Sequence, residues 1–239
     1  MSGHSKWSTI KRKKGLIDAE RGKIFQKLAK EIYVAARIGD PDPDNNPNLR
    51  MVIEKARGQN MPKDNINKAI EKARGTSNAE EYEEIRYEGY GYGGVAFMVD
   101  CLSDNRNRTA SFVRSTFTKY GGNLGTDGSV SYMFERKGLI IISNDYDEET
   151  VMMTAIEANA LDFEVNEDNY VIITNPNDFI KVKETLEKSG ITSFLTSEIT
   201  FIPNIEVDLN EEEILEVFKL VEALEDLDDV QNVYYNLKN

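Results

Sequence analysis

The apolar residues of this 239-residue chain change period near residue 76, and that change limits the folds open to it. Before it, Ile24, Phe25, Leu28, Ala29, Ile32, Tyr33 and Ala36 recur at helical spacing up to Gly39. The loop Asp40-Pro-Asp-Pro-Asp-Asn-Asn-Pro follows, with Asn46 placed as cap and Pro47 as first helical residue of a second helix. That helix carries Leu49, Val52, Ile53 and Ala56 and stops at Gly58. A third carries Ile66, Ala69, Ile70 and Ala73 and stops at Gly75. Each helix has one apolar stripe, so the three can bury a shared small core. After a polar, acidic linker at 76–84 the pattern becomes strand-like, with strands predicted at 85–90 and 95–102 around a glycine turn. Asp104 is expected to cap a helix over 105–120, with Ala110, Phe112, Val113 and Phe117 inward, and 129–134 reads as a strand.

A second unit follows: strand 138–143, helix 148–159, strands 163–165 and 170–174, helix 178–188 and strand 192–198. This is the βαββαβ order of a ferredoxin-like domain. The chain then resumes with strand 199–207, helix 211–225 and strand 232–237. The expected fold class is α+β and multidomain: an N-terminal three-helix domain (1–77), a discontinuous α/β domain (78–136 plus 200–239), and a ferredoxin-like domain (137–199) inserted into it.

Charge is distributed unevenly. The whole chain has a formal net charge of −13, yet residues 1–75 carry 17 Lys and Arg against 9 Asp and Glu, and residues 76–239 carry 12 against 33. Lys6, Lys11, Arg12, Lys13, Lys14, Arg21, Lys23, Lys27 and Lys30 crowd the start, and residues 2–14 contain no acid. Lys23, Lys27 and Lys30 share one helix face by their i, i+4, i+7 spacing. Clustered cation of this kind is the electrostatic footprint of a polyanion-binding element, with a solubilising tail as the plainer reading. Trp7, the only Trp, can stack on a base or anchor the arm.

Other chemistries find little support. Gly89-Tyr-Gly-Tyr-Gly-Gly94 matches G-x-G-x-x-G, but a strand follows it where the dinucleotide fingerprint needs a helix, so a hairpin turn is expected. Asp104-Asn-Arg-Asn-Arg-Thr109 reads either as a capped, solvated first turn or as an anion site built from Arg106 and Arg108 at a helix start. His4 is the only His and Cys101 the only Cys, so no metal site, disulfide or catalytic set can be assembled around them. No catalytic residue, metal or cofactor is expected. Cys101 lies in an apolar run and reads as a packing residue. Acidic runs such as Glu211-Glu212-Glu213 read as solvated helix faces. No apolar run reaches membrane-span length, and no apolar segment follows the basic start, so a cytoplasmic protein is expected.

Five ordered segments carry a resemblance: Met1-Ser-Gly-His-Ser-Lys-Trp7, Arg21-Gly-Lys-Ile-Phe25, Asn60-Met-Pro-Lys-Asp-Asn-Ile66, Asp104-Asn-Arg-Asn-Arg-Thr109 and Gly121-Gly-Asn-Leu-Gly125. Together they resemble the YebC/PmpR family, to which the mitochondrial translational activator of cytochrome c oxidase subunit I is related. The resemblance implies a helical N-terminal domain with two α/β domains, and regulation of gene expression in the cytoplasm. Some members are described as DNA-binding transcriptional regulators, and others look like ribosome-associated factors that help translation through stretches such as consecutive prolines. The function expected is therefore a non-enzymatic nucleic-acid-binding regulator. DNA or ribosomal RNA is the expected partner, with the ribosome as a further one and no membrane involved. Its binding residues would be Lys6, Trp7, Lys11, Arg12, Lys13, Lys14, Arg21, Lys23, Lys27 and Lys30. A protein-interaction adaptor whose acidic body docks a basic partner is the contrasting reading, and an enzyme acting on a phosphorylated small molecule at Arg106 and Arg108 is the weakest.

Overall fold

The structure is a computed structural model; it describes residues 18–75 and 81–238, with side chains from residue 22 onward. Among the described residues there are seven α-helices and two four-stranded sheets. They divide into two compact units: residues 135–202, and the residues that precede and follow them.

In the larger unit α1 (Asp18–Ile38), α2 (Pro47–Gly58) and α3 (Lys63–Arg74) pack through the stripes read from the sequence. Leu28, Ile32, Leu49, Ile53, Ile66 and Ile70 form their core, and Leu102 joins them from later in the chain. Asn46 fixes the α1–α2 connection. Its Oδ1 accepts from Leu49 N at 3.0 Å, while Nδ2 donates to the carbonyls of Ala35 (2.9 Å) and Asp40 (2.8 Å). The cap thus ties two helices together, and Pro47 starts α2 where no N–H is needed. Asn60, at φ 58°, ends α2 in a left-handed turn: Asn60 N–H reaches the Arg57 carbonyl and Met61 N–H the Ala56 carbonyl.

The same unit holds β1 (Glu83–Tyr90), β2 (Ala96–Ser103), α4 (Arg106–Lys119) and β3 (Asn123–Leu124), and later α7 (Glu211–Glu225) and β8 (Val230–Tyr235). Its sheet has the order β3-β1-β2-β8, with antiparallel neighbours. Phe97, Val99 and Cys101 of β2 meet Val113 and Phe117 of α4 and Leu220 and Leu224 of α7. Burial pushes the Cys101 thiol up to about 12, as suits the packing residue read from the sequence. The β1–β2 connection is the expected hairpin turn, with Gly93 and Gly94 at φ 65° and 77°.

Three expectations change here. The cap of α4 is Asn105, whose Oδ1 accepts from Arg108 N at 3.0 Å, and not Asp104. The inward face of α4 is Thr109, Val113 and Phe117, while Phe112 is 52% exposed, because Thr109 is drawn inward to a buried carboxylate. Residues 131–133 form a 3₁₀ turn instead of a strand. The cause lies far off in sequence: the buried Glu88 carboxylate accepts from the N–H groups of Gly128 (2.9 Å), Val130 (2.7 Å) and Ser131 (2.8 Å). Burial pushes this carboxyl up, and the three backbone donors outweigh it, so it titrates below the usual range. Glu88→Ala strands three donors and is expected to cost about 1–3 kcal/mol. Faster amide exchange at Gly128, Val130 and Ser131 than at β1 would be its signature, and unaltered exchange there would contradict it.

The smaller unit runs β4 (Phe134–Ser143), α5 (Glu148–Glu157), β5 (Ala160–Val165), β6 (Asn169–Thr174), α6 (Phe179–Lys188) and β7 (Thr196–Pro203). Its sheet order is β5-β6-β4-β7, and β6 pairs antiparallel with both β4 and β5. Ile140, Ile142, Tyr170 and Ile172 pack against Val151 and Ala155 of α5 and Val182 and Leu186 of α6. The two strands expected at 192–198 and 199–207 are one strand, β7, which ends at Pro203, a residue with no N–H to continue the ladder.

Candidate nucleic-acid interface

Lys6, Trp7, Lys11, Arg12, Lys13 and Lys14 lie outside the described residues, as does the side chain of Arg21. Lys23, Lys27 and Lys30 are described and do share a face of α1. That face turns toward the C-terminal end of α7 and the acidic turn after it, 225–229. Lys23 Nζ meets Asp226 Oδ1 at 2.8 Å, and Lys27 Nζ donates to the Glu225 carbonyl at 2.5 Å. Lys30 Nζ donates to the Asp228 carbonyl at 3.0 Å and to Asp229 Oδ1 at 3.2 Å.

The electrostatics of α7 explain this pairing. The helix begins with Glu211, Glu212 and Glu213, where the macrodipole is positive, and Asn210 and Glu213 close a capping box. It ends on Asp226 with no basic residue in its last turn. The negative end of the dipole, its unpaired carbonyls and an aspartate therefore coincide, and the cations that answer them come from α1.

Asp229 is the hub. It is buried, and its Oδ2 accepts from Arg108 (2.8 Å), Thr109 Oγ1 (2.8 Å) and Ser103 Oγ (3.2 Å), while Oδ1 takes Lys30. Burial pushes its carboxyl up, and the donations from Arg108, Thr109 and Lys30 more than reverse this, so it titrates below the usual carboxylate range. Arg108 is shared with Asp104 at 2.7 Å. Of the two arginines read as an anion site at the start of α4, Arg108 is held between two carboxylates and gives its N–H to Asn105, while the Arg106 side chain is exposed.

The helical layer presents other cations. The side chains of Arg57, Lys63 and Lys68 are exposed and make no hydrogen bond or ion pair among the described residues. Arg37, Arg50, Lys55 and Arg74 are engaged within the layer, by Ala73, Pro43, Glu31 and Glu71 respectively. Arg57 escaped the sequence reading, since nothing local separates an arginine facing solvent from one turned to a distant partner. Between α1, α3 and Tyr82 lies a cleft of about 330 Å³, lined by Lys23, Lys27, Lys30, Lys72, Tyr33 and Asp228 among others. Tyr33 and Tyr82 meet edge to face at 5.8 Å, with Lys72 over the first ring and Lys30 over the second. No described helix is long and apolar enough to cross a membrane.

The comparisons with known proteins agree over the length of the chain. A family profile described as "TACO1/YebC protein N-terminal domain" matches residues 5–76, and "TACO1/YebC second and third domain" matches residues 82–237. A "Probable transcriptional regulatory protein" of Geobacillus sp. (strain WCH70) is 56% identical over 240 residues, covering 99% of this chain and 97% of its own. One of Geobacter sulfurreducens is 55% identical over 236 residues, covering 99% and 95%. The crystal structure of a conserved hypothetical protein, Aq1575 from Aquifex aeolicus, superposes with a TM-score of 0.83 at 48% identity over 94% of this chain and 93% of its own. A chain matched from residue 5 to residue 237, with relatives this similar, belongs to the TACO1/YebC family.

Proposed function

We propose that this protein is a non-enzymatic regulator of gene expression that binds nucleic acid through its basic N-terminal segment and helical layer, while the α/β units position or recruit. The observation that carries this reading is the charge contrast: an excess of eight cations in residues 1–75 on a chain of net charge −13. The exposed Arg57, Lys63 and Lys68 extend that surface, and the names of the relatives fit a regulator of transcription. The acidic remainder repels a polyanion, so contact is confined to the basic residues of 1–75. In this reading the helices form a first domain, the β3-β1-β2-β8 sheet a discontinuous second, the ferredoxin-like unit an inserted third, and the protein works in the cytoplasm.

Ribosomal RNA is the second reading. It is favoured by the exposed Lys63 and Lys68 of α3, which offer ammonium groups to a phosphate backbone whatever the base sequence. Backbone or shape recognition follows. Gel shift on duplex DNA, run beside co-sedimentation with ribosomes at moderate salt, tests both. Binding to neither would defeat the proposal.

A further inference from the structure

We infer that the lysine-lined cleft between α1 and α3 is a phosphodiester-binding site, held closed here by the chain's own acidic turn, in which Asp226 and Asp228 stand where phosphate groups would bind. This rests on the nucleic-acid reading above and assigns part of that contact to a surface that looks already used.

Three observations support it. Lys23, Lys27 and Lys30 from α1 and Lys72 from α3 line one concavity of about 330 Å³, and among the described residues of its lining Asp228 is the acidic one. A phosphodiester offers each of them the same charged acceptor that a carboxylate does, at the same reach. The grip of the acidic turn is also graded. Asp229, at its inner end, is buried under four donors and anchors the turn. Asp226, at its outer end, is 74% exposed and meets a Lys23 that is 48% exposed. Exposed ion pairs of that kind contribute little and exchange readily with other anions. Finally, Lys30 takes the backbone carbonyl of Asp228, an exposed residue of the cleft lining whose side-chain charge can be removed without losing that bond. Nucleic acid would displace Asp226 and Asp228 while Asp229 keeps the two layers joined.

The test uses the full chain and a short single-stranded oligonucleotide, supplied as RNA and as DNA of one sequence, with binding followed by fluorescence anisotropy over a salt series. The double variant Asp226→Asn, Asp228→Asn removes the competing charges. The control Glu211→Gln, Glu212→Gln removes as much charge about 21 Å away along α7, roughly two Debye lengths at 0.1 M salt. The first is expected to tighten binding roughly threefold to tenfold and to steepen the salt dependence, while the control changes affinity less than about twofold. Adding Lys23→Gln and Lys72→Gln to the first variant should abolish the increase. Tightening on RNA alone or DNA alone would support the site and name its polymer. Equal tightening by the control would mean long-range charge and overturn the inference. So would unchanged affinity in the first variant, with the nucleic-acid reading left intact by wild-type binding. Binding by the first variant but not by wild type would support it, and binding by none would overturn both.

Discussion

Asp229→Ala is expected to be among the most damaging single substitutions in this chain, lowering the unfolding free energy by about 2–4 kcal/mol in chemical denaturation. Breaking a buried ion pair from one side commonly costs about 3–5 kcal/mol, because the partner charge is left without an answer. Here the loss is moderated, since Arg108 is 42% exposed and keeps Asp104, and Lys30 keeps the Asp228 carbonyl. Ser103 and Thr109 are both buried but retain each other at 2.6 Å. What the substitution removes is a link between layers, because Asp229 touches both α1 through Lys30 and α4 through Arg108 and Thr109. Asp229→Asn keeps the shape and removes the charge, and should cost less. Its pH dependence is diagnostic. The folded carboxyl titrates below its unfolded value of about 3.9, so its contribution is complete above that pH and is lost as pH falls through the folded value. The stability difference between wild type and Asp229→Asn should therefore be constant near neutrality and shrink below about pH 4. A difference that persisted unchanged into acid would show that shape, not charge, is what Asp229 supplies.

This network also marks where the sequence stops being readable. The helices could be read because their signals are local. Asn46 and Pro47 announce α2, Asn210 and Glu213 close a capping box on α7, and Leu28, Ile32, Ile53 and Ile70 each sit on the buried stripe of a period that needs no partner to be seen. The hairpin at 89–94 could be read because glycine adopts the positive φ its turn requires at no steric cost. The destination of Lys23, Lys27 and Lys30 could not. In sequence they look like a polyanion stripe, and the acids near 225–229 look like a solvated face. Each explains the other, but about 200 residues separate them and neither carries a local mark of its partner. The 3₁₀ turn at 131–133 failed for the same reason, since its cause is Glu88, more than 40 residues earlier. Leu102 and Tyr82 add a consequence for dissection. They pack into the helical core, so a chain cut to residues 77–239 would uncover both and take Lys30 from Asp229.

With the α1 lysines tied to the acidic turn, Lys11, Arg12, Lys13 and Lys14 become the cations on which polyanion affinity should chiefly depend. Four adjacent cations with no acid among their neighbours carry no local charge that could answer them. If each neutralises one phosphate, condensed counterion is released at each, and log K falls with log[salt] by about 0.9 per contact on duplex DNA or about 0.7 on single strands. Replacing all four with Gln preserves polarity and length. The slope should then shrink by roughly two to four, and affinity near physiological salt should drop on the order of a hundredfold to a thousandfold. The loss should be similar for every sequence tested, because phosphate contacts do not depend on the bases. Asp226→Asn with Asp228→Asn, placed in the same background, should restore part of the affinity by freeing Lys23 and the cleft behind it. Loss on one sequence only would point to base recognition by this segment. An unchanged slope would reduce it to a solubilising tail and move the contact to Arg57, Lys63 and Lys68, the exposed cations of the helical layer.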